Sequence, residues 1–212
     1  HRTSGAPAII IIYIRKRMHK FILLLIMLTG CPATLKVEQS ADSNKNIEEM
    51  IPTEFGVISS DGCDQIAVGS TVCNMVFYDQ NKEVWQLHEH TGKVIILDFS
   101  AVWCGPCRNA ADYVQQIQDD YNGDIEFVTV LVDGATGEPP VEEEINEWTT
   151  IHNITSAPVL YGDRSALDST GITGYIIAGF PTYIFIDRDM KIHTGAVGFN
   201  DSYVRDIIDE LL

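Results

Sequence analysis

Basic residues are scarce in this 212-residue chain, with 14 Lys and Arg against 30 Asp and Glu and a formal charge of −16. Five of them (Arg2, Arg15, Lys16, Arg17 and Lys20) precede position 30 in a stretch without acids, so only nine face the thirty acids from Cys31 onward. A body so acidic repels a phosphate backbone, which argues against nucleic acid as a partner. Cysteine is sparse too. Five in 212 residues are too few for a disulfide-stapled miniature fold, and a chain 45% hydrophobic and 21% charged can bury an ordinary core. No uninterrupted apolar run reaches the roughly 20 residues that span a bilayer. No internal repeat divides the chain, and its length suits one domain with extensions.

The positive charge gathers where an export signal would need it. Arg15-Lys16-Arg17-Met18-His19-Lys20 precedes the apolar run Phe21 to Leu28, the layout of a secretory signal. That run ends in Leu28-Thr29-Gly30-Cys31, which resembles the bacterial lipobox. The resemblance implies a start at Met18 and a lipid on Cys31, with the membrane reached through that anchor. Residues 1–30 are therefore expected to be upstream residues and a lipoprotein signal peptide, 31–70 a polar tether and 71–212 the folded domain. Without Cys31 an even number of cysteines remains, which suits an oxidising compartment.

Within the domain the patterns alternate. Thr71 to Tyr78 and Glu83 to Leu87 flank the turn cluster Asp79-Gln80-Asn81-Lys82, so they predict a hairpin. Val94-Ile95-Ile96-Leu97-Asp98-Phe99 predicts a strand buried on both faces. Ala110, Val114, Ile117 and Tyr121 recur at helical spacing until Asn122-Gly123. A second buried strand covers Ile125 to Val132. Val141, Ile145, Trp148 and His152 then mark a helix whose Glu142-Glu143-Glu144 suits its dipole better than a metal. Ala157 to Ser165 reads as a loop within a long Gly134–Gly174 connection, a candidate recognition surface. Strands at Thr182 to Ile186 and Lys191 to Phe199 flank an Asp187-Arg188-Asp189 turn. Asn200-Asp201 caps a last helix bearing Tyr203, Ile207, Ile208 and Leu211. The expected fold is α/β: a central mixed sheet flanked by helices, with an N-terminal β-hairpin extension.

Trp103-Cys104-Gly105-Pro106-Cys107 falls where a buried strand gives way to a helix. Two intervening residues let the sulfurs meet across the first helical turn. Unpaired amides and the helix dipole stabilise a thiolate on the first cysteine. Cys104 is the expected attacking sulfur and Cys107 the resolving one. Pro106 is tolerated because an early helical amide has no partner to lose. Asp98 is an acid inside an apolar run, and buried acids are costly without a partner or a role.

Residues Asp98 to Cys107 resemble the active-site stretch of thioredoxins. Gly179-Phe180-Pro181-Thr182, just before a strand, matches the place where such proteins carry a cis-proline facing the cysteine pair. The anchor and extra hairpin are similar to the TlpA/ResA branch of bacterial thioredoxin-fold lipoproteins. The resemblance implies a thioredoxin fold over roughly 71–212 and thiol–disulfide exchange in the periplasm or another extracytoplasmic space. It implies disulfide-bearing protein substrates and a membrane electron donor, with no cofactor. Asp98, six residues before Cys104, would shuttle a proton for Cys107 with a pKa raised by desolvation. Trp103, Gly105, Pro106, Phe180, Pro181 and Thr182 would contact substrate. The lysine that thioredoxins place beside the acid has no counterpart near Val130-Leu131-Val132.

Cys63 and Cys73 enclose nine residues, and an oxidising setting favours a structural disulfide between them over a second redox pair. Two other classes fit the residues less well. A peroxiredoxin-like peroxidase wants a threonine where Ala101 stands. A Sco-like copper chaperone uses three residues between its cysteines and a distant histidine, for which His193 would serve alone. A zinc site lacks a second ligand pair, and His88 and His90 read as idle turn residues, so no metal is expected.

Overall fold

The computed structural model describes residues 55–58, 63 and 66–212. The signal segment, Cys31 and most of the expected tether lie outside the described residues. A small antiparallel sheet comes first. Strand β1 (Gly56–Ile58) pairs with β2 (Asn74–Tyr78), which pairs with β3 (Val84–Gln86). The β2–β3 turn forms because Asp79 Oδ1 accepts from the amides of Asn81 and Glu83, at 2.8 and 2.9 Å. Strand β1 falls in the stretch expected to be tether. Its three residues carry no strand pattern of their own and take their order from β2.

The main sheet is built from β4 (Val94–Ala101), β5 (Ile125–Asp133), β6 (Val159–Tyr161), β7 (Thr182–Ile186) and β8 (Ile192–Val197). Their spatial order is β6-β5-β4-β7-β8. Strands β4, β5 and β6 run parallel, while β7 and β8 are antiparallel to their neighbours. Strands β4 and β5 are buried throughout, as their continuous apolar runs require. Strand β6 was expected to be loop. Three residues between Pro158 and Gly162 show no periodicity, and the pairing is fixed from a distance. Gln80 Oε1 accepts from Val159 N at 2.8 Å, and Gln115 Oε1 accepts from Thr155 N at 2.7 Å.

Helices α1 (Gly105–Asp120), α2 (Glu142–Ile151) and α3 (Asp201–Leu211) contribute their buried residues to one core layer. That layer holds Ile96 of β4, Phe127 and Leu131 of β5 and Tyr183 of β7. The opposite layer, with Ile95, Leu97 and Phe99 of β4, is covered by Met75 and Phe77 of β2 and Trp85 of β3. Helices thus take one face of the main sheet and the small sheet takes the other. Helix α1 ends where Asn122 and Gly123 adopt φ of 50° and 91°. Asn200 caps α3 by accepting from Tyr203 N at 2.9 Å, and Val204 and Ile208 are its buried residues. Tyr203 is exposed.

Candidate active site

The residues expected to react converge at the carboxyl end of β4. Cys104 is the N-cap of α1, with extended backbone, and its Sγ accepts from Cys107 N at 3.2 Å. The Cys104 and Cys107 sulfurs are joined in a disulfide, with Cα atoms 5.3 Å apart. Both are buried, Cys107 completely. Pro106 lies in the first turn, where its missing amide costs no bond. An N-cap sulfur beside free helix amides is where a thiolate is best stabilised.

Phe180 and Pro181 are joined by a cis peptide bond. The Phe180 ring meets Trp103 edge-on, with centroids 6.0 Å apart, so the loop before β7 and the turn before α1 form one surface. Trp103 is 53% exposed. The Pro181 carbonyl already accepts from Gly198 N at 2.8 Å, and Thr182 Oγ1 donates to the Gly179 carbonyl at 2.6 Å. Gly105 is open, with no atom within 4 Å of where a Cβ would stand.

Asp98 lies on the face of β4 that α1 covers and is fully buried. Burial pushes its carboxyl up to about 7, opposed by hydrogen bonds from Ser100 and Thr129. Ser100 Oγ donates to Oδ1 at 2.7 Å, and Thr129 Oγ1 to Oδ2 at 3.5 Å. Both hydrogen-bond partners of this carboxyl are hydroxyls.

Two further residues escaped the sequence. Asp133, at the end of β5, is buried and accepts from Trp103 Nε1 at 3.3 Å. Arg164 reaches it from the long connection. Arg164 lay in a segment already marked as a possible recognition surface, but its partner is 31 residues away and no local pattern announces it. Ser100 had a weak signal, since alternate strand residues share a face with Asp98.

The remaining candidates lie elsewhere. Cys63 and Cys73 are disulfide-bonded, with Cα atoms 5.1 Å apart, in the layer beneath the small sheet. His88 Nε2 meets the Val72 carbonyl at 2.9 Å, and His90 stacks on Trp85 and faces Glu126 at 3.4 Å. Both sit before β4 begins, at the end of the sheet opposite the dithiol. His193 is the second residue of β8 and faces Glu210 at 3.5 Å, away from the cysteines. Among the described residues no group of three or more His, Cys, Asp or Glu is placed to hold a metal ion. Among them, too, no helix is long and apolar enough to cross a membrane.

Known proteins share this architecture. Residues 76–160 match the thioredoxin family. The thiol-disulfide oxidoreductase ResA of Bacillus subtilis is 26% identical over 150 residues, which cover 70% of this chain and 78% of ResA. Thioredoxin H2 of Arabidopsis thaliana is 39% identical over 66 residues, but the match spans only 47% of that protein and 29% of this chain. A thiol:disulfide interchange protein of the thioredoxin family from Chlorobium tepidum superposes with a TM-score of 0.56 at 19% identity, covering 68% of this chain and 97% of that one. With a dithiol capping a helix beside a cis-proline, the chain is a thioredoxin-fold protein of the thiol–disulfide oxidoreductase class. Within that class its likeness to ResA, which spans most of both chains, makes it similar to the TlpA/ResA-like redoxins.

Proposed function

We propose that this chain is an extracytoplasmic, membrane-anchored enzyme that reduces protein disulfides through Cys104 and Cys107. The observation that carries the proposal is the position of Cys104, capping α1 and receiving the Cys107 amide, beside the Trp103–Phe180 surface. In the reduced enzyme the Cys104 thiolate attacks a substrate disulfide, one substrate sulfur leaves, and a mixed disulfide forms. The Cys107 thiol gives its proton to Asp98 and attacks Cys104 Sγ. The second substrate thiol is released and the Cys104–Cys107 disulfide forms. The substrate backbone would pair with that of Phe180, since the Pro181 carbonyl is committed to Gly198. Trp103, Gly105, Pro106 and Phe180 would line its path, with Thr182 bracing the loop.

Gly-Pro between the cysteines resembles reducing thioredoxins rather than strong oxidants, which favours reduction. Sustained turnover then needs a membrane partner delivering electrons from the cytoplasm. The signal-like segment before Cys31 and the lipobox resemblance support export and a lipid anchor at that residue. Cys63–Cys73 is assigned a structural role, being buried away from the dithiol.

The deciding experiment equilibrates a Cys31→Ser protein with glutathione. A potential near about −270 mV, as in thioredoxin, supports a reductase. One near about −120 mV would make it a disulfide-forming enzyme instead. Lack of any exchange would refute dithiol chemistry.

A further inference from the structure

Alternate residues of a strand share a face, so Ile96, Asp98 and Ser100 of β4 all look toward α1. Ser100 is fully buried there, in a layer made of Cys107 and Ala111 of α1, Phe127 and Leu131 of β5 and Tyr183 of β7. A hydroxyl in such a layer is costly unless bonded. Its partner is Asp98 Oδ1, at 2.7 Å. Thr129 Oγ1, from β5, is more distant at 3.5 Å. The other titratable groups in or against this layer are Tyr183, directly opposite Asp98 in the β4–β7 register, the two cysteines of the dithiol, and Tyr121 and Tyr161 packed at its edge. Among the described residues no cation pairs with Asp98. The carboxylate therefore depends on neutral donors, and Ser100 is the nearer of the two.

We propose that Ser100 is a positioning residue for resolution of the mixed disulfide: its hydroxyl holds Asp98 Oδ1 and stabilises the carboxylate that accepts the Cys107 proton. The inference rests on the thiol-exchange function proposed above. In that step the Cys107 S–H bond breaks and the proton passes to Asp98. The freed electron pair attacks Cys104 Sγ, the bond from Cys104 to the substrate sulfur breaks, and the substrate thiolate leaves with that bond's electrons. Asp98 returns its proton to solvent or to the departing thiolate. No outside oxidant or reductant enters.

The test loads the full chain, with Cys31 replaced by serine, as a Cys104–thionitrobenzoate mixed disulfide and follows release of the coloured thiolate from pH 5.5 to 9. The wild-type rate rises through an inflection that Asp98→Asn removes. Ser100→Ala moves that inflection up by about one pH unit, the size of one hydrogen bond to a charged group, and slows neutral-pH release several-fold while keeping the alkaline plateau. Thr129→Val moves it less. In the Asp98→Asn background Ser100→Ala has no further effect on the profile. An unmoved inflection in Ser100→Ala, or an equal change with and without Asp98, overturns the proposal. If the alanine variant folds poorly, Ser100→Cys, which keeps a weak donor, falls between wild type and alanine; a cysteine variant outside that interval also overturns it. Titration of the Asp98 side-chain carbon by NMR in the oxidised protein reports the same shift without turnover. Absence of thionitrobenzoate release from the wild type would instead refute the dithiol function, and the carboxyl titration would still judge Ser100.

Discussion

Arg164 grips the buried Asp133 carboxylate by both oxygens, Nε to Oδ1 at 2.9 Å and Nη2 to Oδ2 at 2.5 Å. The same Oδ2 accepts from Trp103 Nε1, so a side chain of the long connection orients an aromatic beside the dithiol. The Arg164 side chain is 65% exposed, and its value to stability is correspondingly screened. Its expected effect is on substrate. Arg164→Gln should raise KM for a protein disulfide several-fold with little change in kcat, and shift Trp103 emission. Unchanged KM and emission would show that Trp103 is held without it.

Asp98 makes stability fall with rising pH. Its folded carboxyl is raised to about 7 by burial, whereas an unfolded one ionises near 3.8. Between those values the folded state binds the extra proton, so the favourable contribution is complete below the unfolded value and is lost as pH rises through 7. Asp98→Asn removes that dependence. Denaturant unfolding of the oxidised protein should show the asparagine variant gaining on wild type from pH 4 to 8, by up to about 4 kcal/mol. Parallel stability curves for the two proteins would mean that Asp98 is not held protonated.

Local signals and distant ones separate cleanly in this molecule. Strands β4 and β5 and helix α1 announce themselves because continuous apolar runs and a helical stripe ending in Asn122-Gly123 are properties of neighbouring residues. Asp98 was visible as a lone acid in such a run. Strands β1 and β6 were not, being three residues long and fixed by β2 and by Gln80 and Gln115. Asp133 and Arg164 meet only after β5, α2 and β6 are in place. On α3 the helical spacing marks the element but not its buried side: Val204 and Ile208 satisfy the sheet, and Tyr203 lies against Phe185 at the rim.

The order of attack can be read from trapped intermediates. Cys107 is fully buried in the first turn of α1, whereas Cys104 caps the helix end. Cys107→Ser should therefore accumulate a covalent enzyme–substrate disulfide through Cys104, visible by non-reducing electrophoresis and mass spectrometry. Cys104→Ser should abolish turnover and trap nothing. Stable capture by the Cys104→Ser protein would reverse the assignment.

Cys63 and Cys73 provide the last separation, between a brace and a relay. Their disulfide sits in the layer with Val72, Met75 and Leu87, whereas the dithiol belongs to the layer on the far side of the main sheet. Closing so short a loop stabilises a fold by roughly 3 kcal/mol in the chain-entropy description. Replacing both residues by alanine should lower unfolding stability by about that amount. Turnover per folded molecule should stay at the wild-type level, because the Cys104–Cys107 exchange needs no second pair. A relay predicts the reverse pattern, with stability little changed and turnover lost when electrons come from a protein donor. Measuring both quantities on the one double variant decides between them, since the brace and the relay move them in opposite proportions.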